Sequence, residues 1–82
     1  MSYRFEVGIN LRDGIADPEG ATIERALAAL GFDGVRGVRV GKVLHLDLDA
    51  ADAEAAEAAV AAMCDRLLAN PVIERYEARL VR

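Results

Sequence analysis

Between Tyr3 and Leu11 the chain alternates, with Tyr3, Phe5, Val7, Ile9 and Leu11 apolar and Arg4, Glu6, Gly8 and Asn10 between them. A period of two puts each set on its own face of a strand, so this segment predicts a first strand with one buried face. Asp13-Gly14 turns the loop from Arg12 to Ala16. Asp17-Pro18 then marks a helix start, an N-cap followed by proline at a position where the missing N–H costs nothing. The pattern changes to a 3.6-residue period, with Ile23, Ala26, Leu27 and Leu30 on one face, and Gly31 stands where a left-handed cap ends a helix.

Val38 and Val40, then Leu44, Leu46 and Leu48, share one parity on either side of Gly41-Lys42, which predicts two antiparallel strands joined by a tight turn. Asp49 or Asp52 can cap a second helix. Its alanine- and glutamate-rich start has high helix propensity, and Val60, Met63, Cys64, Leu67 and Leu68 line one face further on. Asn70-Pro71 stops it. From Val72 to Val81, Tyr76, Ala78 and Leu80 alternate with Arg75, Glu77 and Arg79, as in a final half-buried strand.

The predicted order is strand, helix, strand, strand, helix, strand. That is the ferredoxin-like split βαβ arrangement, an α+β fold with a four-stranded antiparallel sheet and both helices on one face. The two halves are similar in layout but carry no sequence repeat. At 82 residues there is room for a single domain, 1–82, with a modest core, so self-association or a partner is an expected source of extra stability. The edges of this topology, the strand around Val38 to Val40 and the last strand, invite pairing with another copy. With 54% apolar and 29% charged residues the chain has the composition of a folded domain.

Charge narrows the function. Ten basic against fourteen acidic residues leave a net charge of −4, and the arginines are scattered, which argues against a nucleic-acid binder. The N-terminus alternates where a signal peptide would be continuously apolar, and no segment is long enough to span a membrane, so the cytoplasm is the expected location. Cys64 has no second cysteine for a disulfide or a metal motif.

Each residue that could carry chemistry has a simpler explanation. His45 lies between Leu44 and Leu46 on the face away from the core, with Asp47 as its nearest candidate orienting carboxylate, whereas a general base needs a defined partner and a nucleophile. Cys64 sits late in a helix on its apolar stripe, the place of a small buried hydrophobe and not of an activated thiolate. Gly31, Gly34, Gly37 and Gly41 lack the spacing of a phosphate loop. Asp47, Asp49, Asp52 and Glu54 lack that of a calcium loop and suit a helix N-terminus. Other functions of this fold are marked by what is missing. Tyr3, Phe5 and Tyr76 share the core parity, so they are not a base-stacking platform. The first loop has no cysteine pair for a metallochaperone, and Arg12-Asp13-Gly14 is a poor match to an acylphosphatase loop.

Three stretches together resemble one family. They are Asp17-Pro18-Glu19-Gly20, then Leu30-Gly31-Phe32 with Val38-Arg39-Val40-Gly41-Lys42, and the run from Met63 to Glu74 containing Leu67-Leu68-Ala69-Asn70-Pro71-Val72-Ile73-Glu74. In order, from about Tyr3 to Tyr76, they are similar to PurS, the small subunit of phosphoribosylformylglycinamidine synthase. Glu19 and Arg12 depart from residues common there, glutamine and lysine. The resemblance implies a homodimer or higher homo-oligomer in a purine-biosynthesis complex. A large synthetase subunit would bind ATP, with magnesium, and the substrate, a glutaminase subunit would release ammonia, and this chain would join them without a cofactor or catalytic residue of its own. The competing expectation is a free-standing ferredoxin-like domain that binds a small regulatory metabolite. For a joining subunit, Arg39, Lys42, Asn70 and Pro71 are the candidate interface residues, because they sit on turns that a rigid scaffold holds out to solvent.

Overall fold

The structure is a computed structural model of residues 1–82. Strand β1 (Ser2–Leu11) is central, flanked by β2 (Lys42–Asp49) and β3 (Glu74–Leu80), and both pairings are antiparallel. Val7 stands opposite Leu44 on one side and Ala78 on the other, so the apolar parity of all three strands meets on one face. Helix α2 (Ala53–Met63) covers that face. Phe5, Val7 and Ile9 of β1, Ala56 and Val60 of α2, and Cys64 and Ala69 beyond it form the buried core. Asp52 caps α2 by accepting from the Ala55 N–H at 2.7 Å. The helix runs on into a π-helical turn, Cys64–Leu68, whose wider winding rotates the later side chains. Cys64 is therefore buried while Leu67, expected on the same stripe, is 82% exposed.

Helix α1 (Pro18–Ala29) starts at its expected cap, where the Asp17 carboxylate accepts from the Gly20 N–H at 2.9 Å, and it ends before Gly31, whose φ of 94° fits the left-handed position. Its placement differs from the expected sandwich. No residue of α1 belongs to the core or packs against it. Ile23 and Leu30 are 40% and 73% exposed, and Phe32 and Val35 just beyond are also exposed. The molecule is correspondingly long and thin, 52 × 25 × 14 Å.

The sheet has three strands where the alternation predicts four. Val38 to Val40 is not a strand, and Gly41-Lys42 is not a hairpin turn, since β2 begins at Lys42. The reason lies in where the backbone donors go. The Val38 N–H donates to the Glu24 carboxylate at 3.0 Å and the Val40 N–H to Asp17 at 2.7 Å. Both acceptors belong to α1 or its cap, so the segment is an extended strap along the helix and not a rung of the ladder. Gly20 lets the two meet. It is the one buried residue of α1, and a Cβ there would overlap the Val38 carbonyl oxygen.

Candidate functional site

At the end of the sheet where β1 runs out, Arg12 joins several segments. Its backbone N–H donates to the Ile73 carbonyl at 2.8 Å, and its guanidinium Nε donates to the Pro71 carbonyl at 3.0 Å. Its own carbonyl accepts from the Arg39 guanidinium at 3.4 Å, and the same guanidinium donates to the Ile15 carbonyl at 3.3 Å. The strap, the first loop and the corner after α2 are thereby tied to one residue. In the sequence Arg12 stands out only as a residue of the first loop, a poor match to an acylphosphatase arginine and a departure from a family pattern. Its hub role was not legible, because it depends on backbone carbonyls distant in sequence.

Arg39, Lys42, Asn70 and Pro71 do gather around this end of the sheet, in unlike circumstances. Arg39 clasps the first loop. Asn70 serves its own turn, accepting from the Val72 N–H at 3.0 Å, while its backbone N–H donates to Glu74 at 2.8 Å. Pro71 supplies the carbonyl that Arg12 holds. Lys42 is exposed and makes no ion pair. It stands beside a recess of about 160 Å³ lined by Ile9, Leu11, Val40, Gly41, Lys42 and Glu74. Gly41 is where the arm joins the sheet, and a Cβ there would run into the Asn10 side chain and lie 3.0 Å from the Ile9 carbonyl oxygen.

The residues with catalytic potential are not assembled. Asp47 is bidentate with Arg4, at 2.8 and 3.2 Å, and that partnership holds its carboxyl below the usual carboxylate range. Asp47 is thus committed to Arg4 rather than to orienting His45. Cys64 is fully buried, and burial, with the charge of Asp65, pushes its thiol up, away from the thiolate a nucleophile needs. Asp52 caps α2, and no three histidine, cysteine or acidic side chains converge as metal ligands. No helix is long and apolar enough to cross a membrane. What remains at the surface is a set of rigidly tied turns and an uncovered amphipathic helix, an arrangement that can dock other chains.

The family described as PurS, phosphoribosylformylglycinamidine (FGAM) synthase, matches residues 4–82. The chain belongs to the PurS family. A PurS subunit of this synthase from Archaeoglobus fulgidus is 48% identical over 71 residues, covering 87% of this chain and 89% of the relative. The crystal structure of the Thermotoga maritima PurS subunit superposes with a TM-score of 0.90 at 37% identity, covering 99% and 93% of the two chains. A chain in the structure of PurLQS from the same organism gives the same TM-score and identity, covering 99% of each. The chain shares its overall form with these two solved chains.

Proposed function

We propose that this chain is the docking subunit of phosphoribosylformylglycinamidine synthase, joining the ATP-dependent synthetase to the glutaminase and contributing no catalytic group. ATP and magnesium would be used by the synthetase. The observation that carries this reading is a fold left incomplete in a single copy. Helix α1 has an apolar face left largely uncovered, with Ile23 and Leu30 exposed. The β2 side of the sheet presents Leu44, Leu46 and Leu48 only half-buried, beside a core that α2 alone covers. An amphipathic helix is stable when its apolar stripe is covered, and a reciprocal exchange of α1 between two copies covers both surfaces about a twofold axis. In such a pair each sheet carries two helices on one face, and the strap, whose Val38 and Val40 N–H groups stay on α1 and its cap, can lay its other edge, at Arg39, against a neighbour's sheet as a fourth strand, completing the ferredoxin-like sandwich between chains.

A scaffold of this kind serves the reaction by proximity. Ammonia released into water is diluted and protonated, whereas two active sites held together keep its effective concentration high. The sheet end built on Arg12, with Arg39, Lys42, Asn70 and Pro71 around it, is one docking surface for a larger subunit, and the cytoplasm is the compartment in which the complex would act. Co-expression with the synthetase and the glutaminase tests the reading. The chain should co-purify with both, and removing it should reduce glutamine-dependent turnover much more than turnover with added ammonia. Co-purification with neither, or glutamine-dependent turnover that is unaffected by its removal, would refute it and leave the metabolite-binding alternative.

A further inference from the structure

A joining subunit needs a second docking surface, and the sheet has a whole face that no helix covers. It carries Arg4, Glu6, Gly8 and Asn10 of β1 with their cross-strand neighbours on β2 and β3. Gly8 is at its centre, opposite Val43 on one side and Glu77 on the other. Nothing local requires a glycine there. Its φ is not positive, and a Cβ would find only the Glu77 carbonyl oxygen, 4.0 Å away. Glycine inside a strand costs about 0.5–1 kcal/mol against alanine, and such a position often marks close approach by a ligand or another backbone.

The side chains around it keep the space open. Arg4 is held to Asp47, and Arg79 to Glu6, so these long side chains are tied across the strands. A recess of about 200 Å³ results, lined by Glu6, Gly8, Asn10, Val43, Glu77 and Arg79. Within it the Glu6 and Arg79 charges cancel, and Glu77 is a carboxylate without an ion pair. Arg75, one row further along β3, also has no ion pair but does not line the recess. Val43, 54% exposed, supplies an apolar wall. A side chain with an apolar stem and a cationic tip fits both walls, as lysine and arginine do.

We propose that the recess over Gly8 receives a lysine or arginine side chain from a larger subunit docking flat on this sheet face. The inference rests on the assembly reading above and adds the face and the chemistry of its partner. The net charge of −4 favours approach by a basic surface.

The test uses the wild-type chain, Gly8→Val and Glu77→Gln, each titrated with the synthetase and with the glutaminase, alongside thermal melts and light scattering. Gly8→Val fills the recess with a residue that strands favour, so it should melt no lower than the parent and self-associate equally. Its affinity for one of the two subunits should fall by about tenfold or more, as blocking a packed interface position would. Glu77→Gln should weaken the same interaction several-fold and flatten its salt dependence. If Gly8→Val misfolds, Gly8→Ala is read in its place with the smaller loss its single methyl gives. Parental affinity of the recess variant for both subunits overturns the inference alone, as does a loss confined to self-association, which would make the occupant a second copy. Failure of the wild-type chain to bind either subunit overturns the assembly reading and this inference with it.

Discussion

The two helices are built alike and end in opposite circumstances. Each is about three turns long, each is opened by an aspartate that accepts a backbone N–H, and each has a glutamate in its first turn. Yet α2 buries Ala56 and Val60 against β1, while α1 buries only Gly20, and that against its own strap. An amphipathic pattern states that a face must be covered. It does not state by which chain. The body of the molecule, the sheet with α2, holds a buried core within one copy, although Leu44, Leu46 and Leu48 on its β2 side stay half-buried. The arm, residues 12–41, is a helix and strap that contribute nothing to that core. Polar atoms hold the arm together internally, through Asp17, Glu24 and Arg39, while Ile23 and Leu30 of its apolar face stay exposed.

This division is broken most severely from the body side. Phe5 is 1% exposed in the centre of the core, and Phe5→Ala should cost about 3–5 kcal/mol, the range for deleting a buried aromatic ring. For a domain this small that is most of the stability, so the chain should lose its cooperative melt. Leu30→Ala removes a comparable apolar group from the arm, where it is exposed in the single copy. Circular dichroism at high dilution should show little change, while light scattering should show weakened self-association. Equal loss of folding from both variants would mean that the body and the arm are not separately completed.

Within the arm, Gly20→Ala should have the next largest effect. The added methyl overlaps the Val38 carbonyl oxygen, so the strap must move off the helix, at about 1–3 kcal/mol. Ordinary propensity argues the other way, since alanine in a helix is favoured over glycine by about 1 kcal/mol. A destabilised arm in hydrogen exchange, with the β1–β3 amides still protected, would show that the close approach wins. A stabilised arm would refute the strap.

Asp17 sharpens the comparison by pH. Its carboxylate accepts from the Gly20 and Val40 N–H groups, and these bonds, with help from the Arg39 charge, hold its carboxyl below the usual range. A depressed value in the folded arm means stability that is present above the unfolded value of about 3.9 and lost as pH falls through the folded one. Falling pH below about 4 should therefore loosen the strap progressively, while the core, which holds no buried charge and loses only the exposed Arg4–Asp47 pair, stays protected. Asp17→Asn should loosen the strap and remove this acid step. An unchanged acid profile in the variant would place the step elsewhere.

Much of the body was legible in the sequence because its signals are local. Alternation located β1, Asp52 was one of two readable caps for α2 beside Asp49, and Asn70 was readable at the stop after α2; in the arm, Asp17 was readable as the cap of α1. The strap was misread as a strand because Val38 and Val40 have strand parity, and nothing in that parity shows that carboxylates at Asp17 and Glu24 take their N–H groups. The placement of Leu67 was misread because a π turn shifts the helical phase without a sequence mark. At the candidate site, Arg39, Lys42, Asn70 and Pro71, read from separate turns and corners, lie at one end of the sheet. Their roles depended on bonds to distant carbonyls, which no spacing encodes.

The smallest expected effect separates two residues that the sequence presents as equals. Arg39 and Lys42 are basic, three apart, on either side of the junction between arm and body. Arg39 donates to the Ile15 and Arg12 carbonyls, whereas Lys42 makes no ion pair and stands free beside the recess at Leu11 and Val40. Arg39→Glu replaces two donors with an acceptor facing carbonyl oxygens and sits near Asp17, so it should loosen the first loop by about 1 kcal/mol, the worth of such hydrogen bonds. Lys42→Glu should shift the melt by no more than about 0.5 kcal/mol, as exposed substitutions do. Assembly reverses the interest of the pair. A weaker complex from Arg39→Glu has a folding explanation, but one from Lys42→Glu, with its melt unchanged, can come only from a lost contact with a partner. Titration of the Lys42→Glu chain with each larger subunit therefore decides whether this end of the sheet docks. Parental affinity for both would exclude Lys42 from the interface and leave Arg39 as a clasp for the arm.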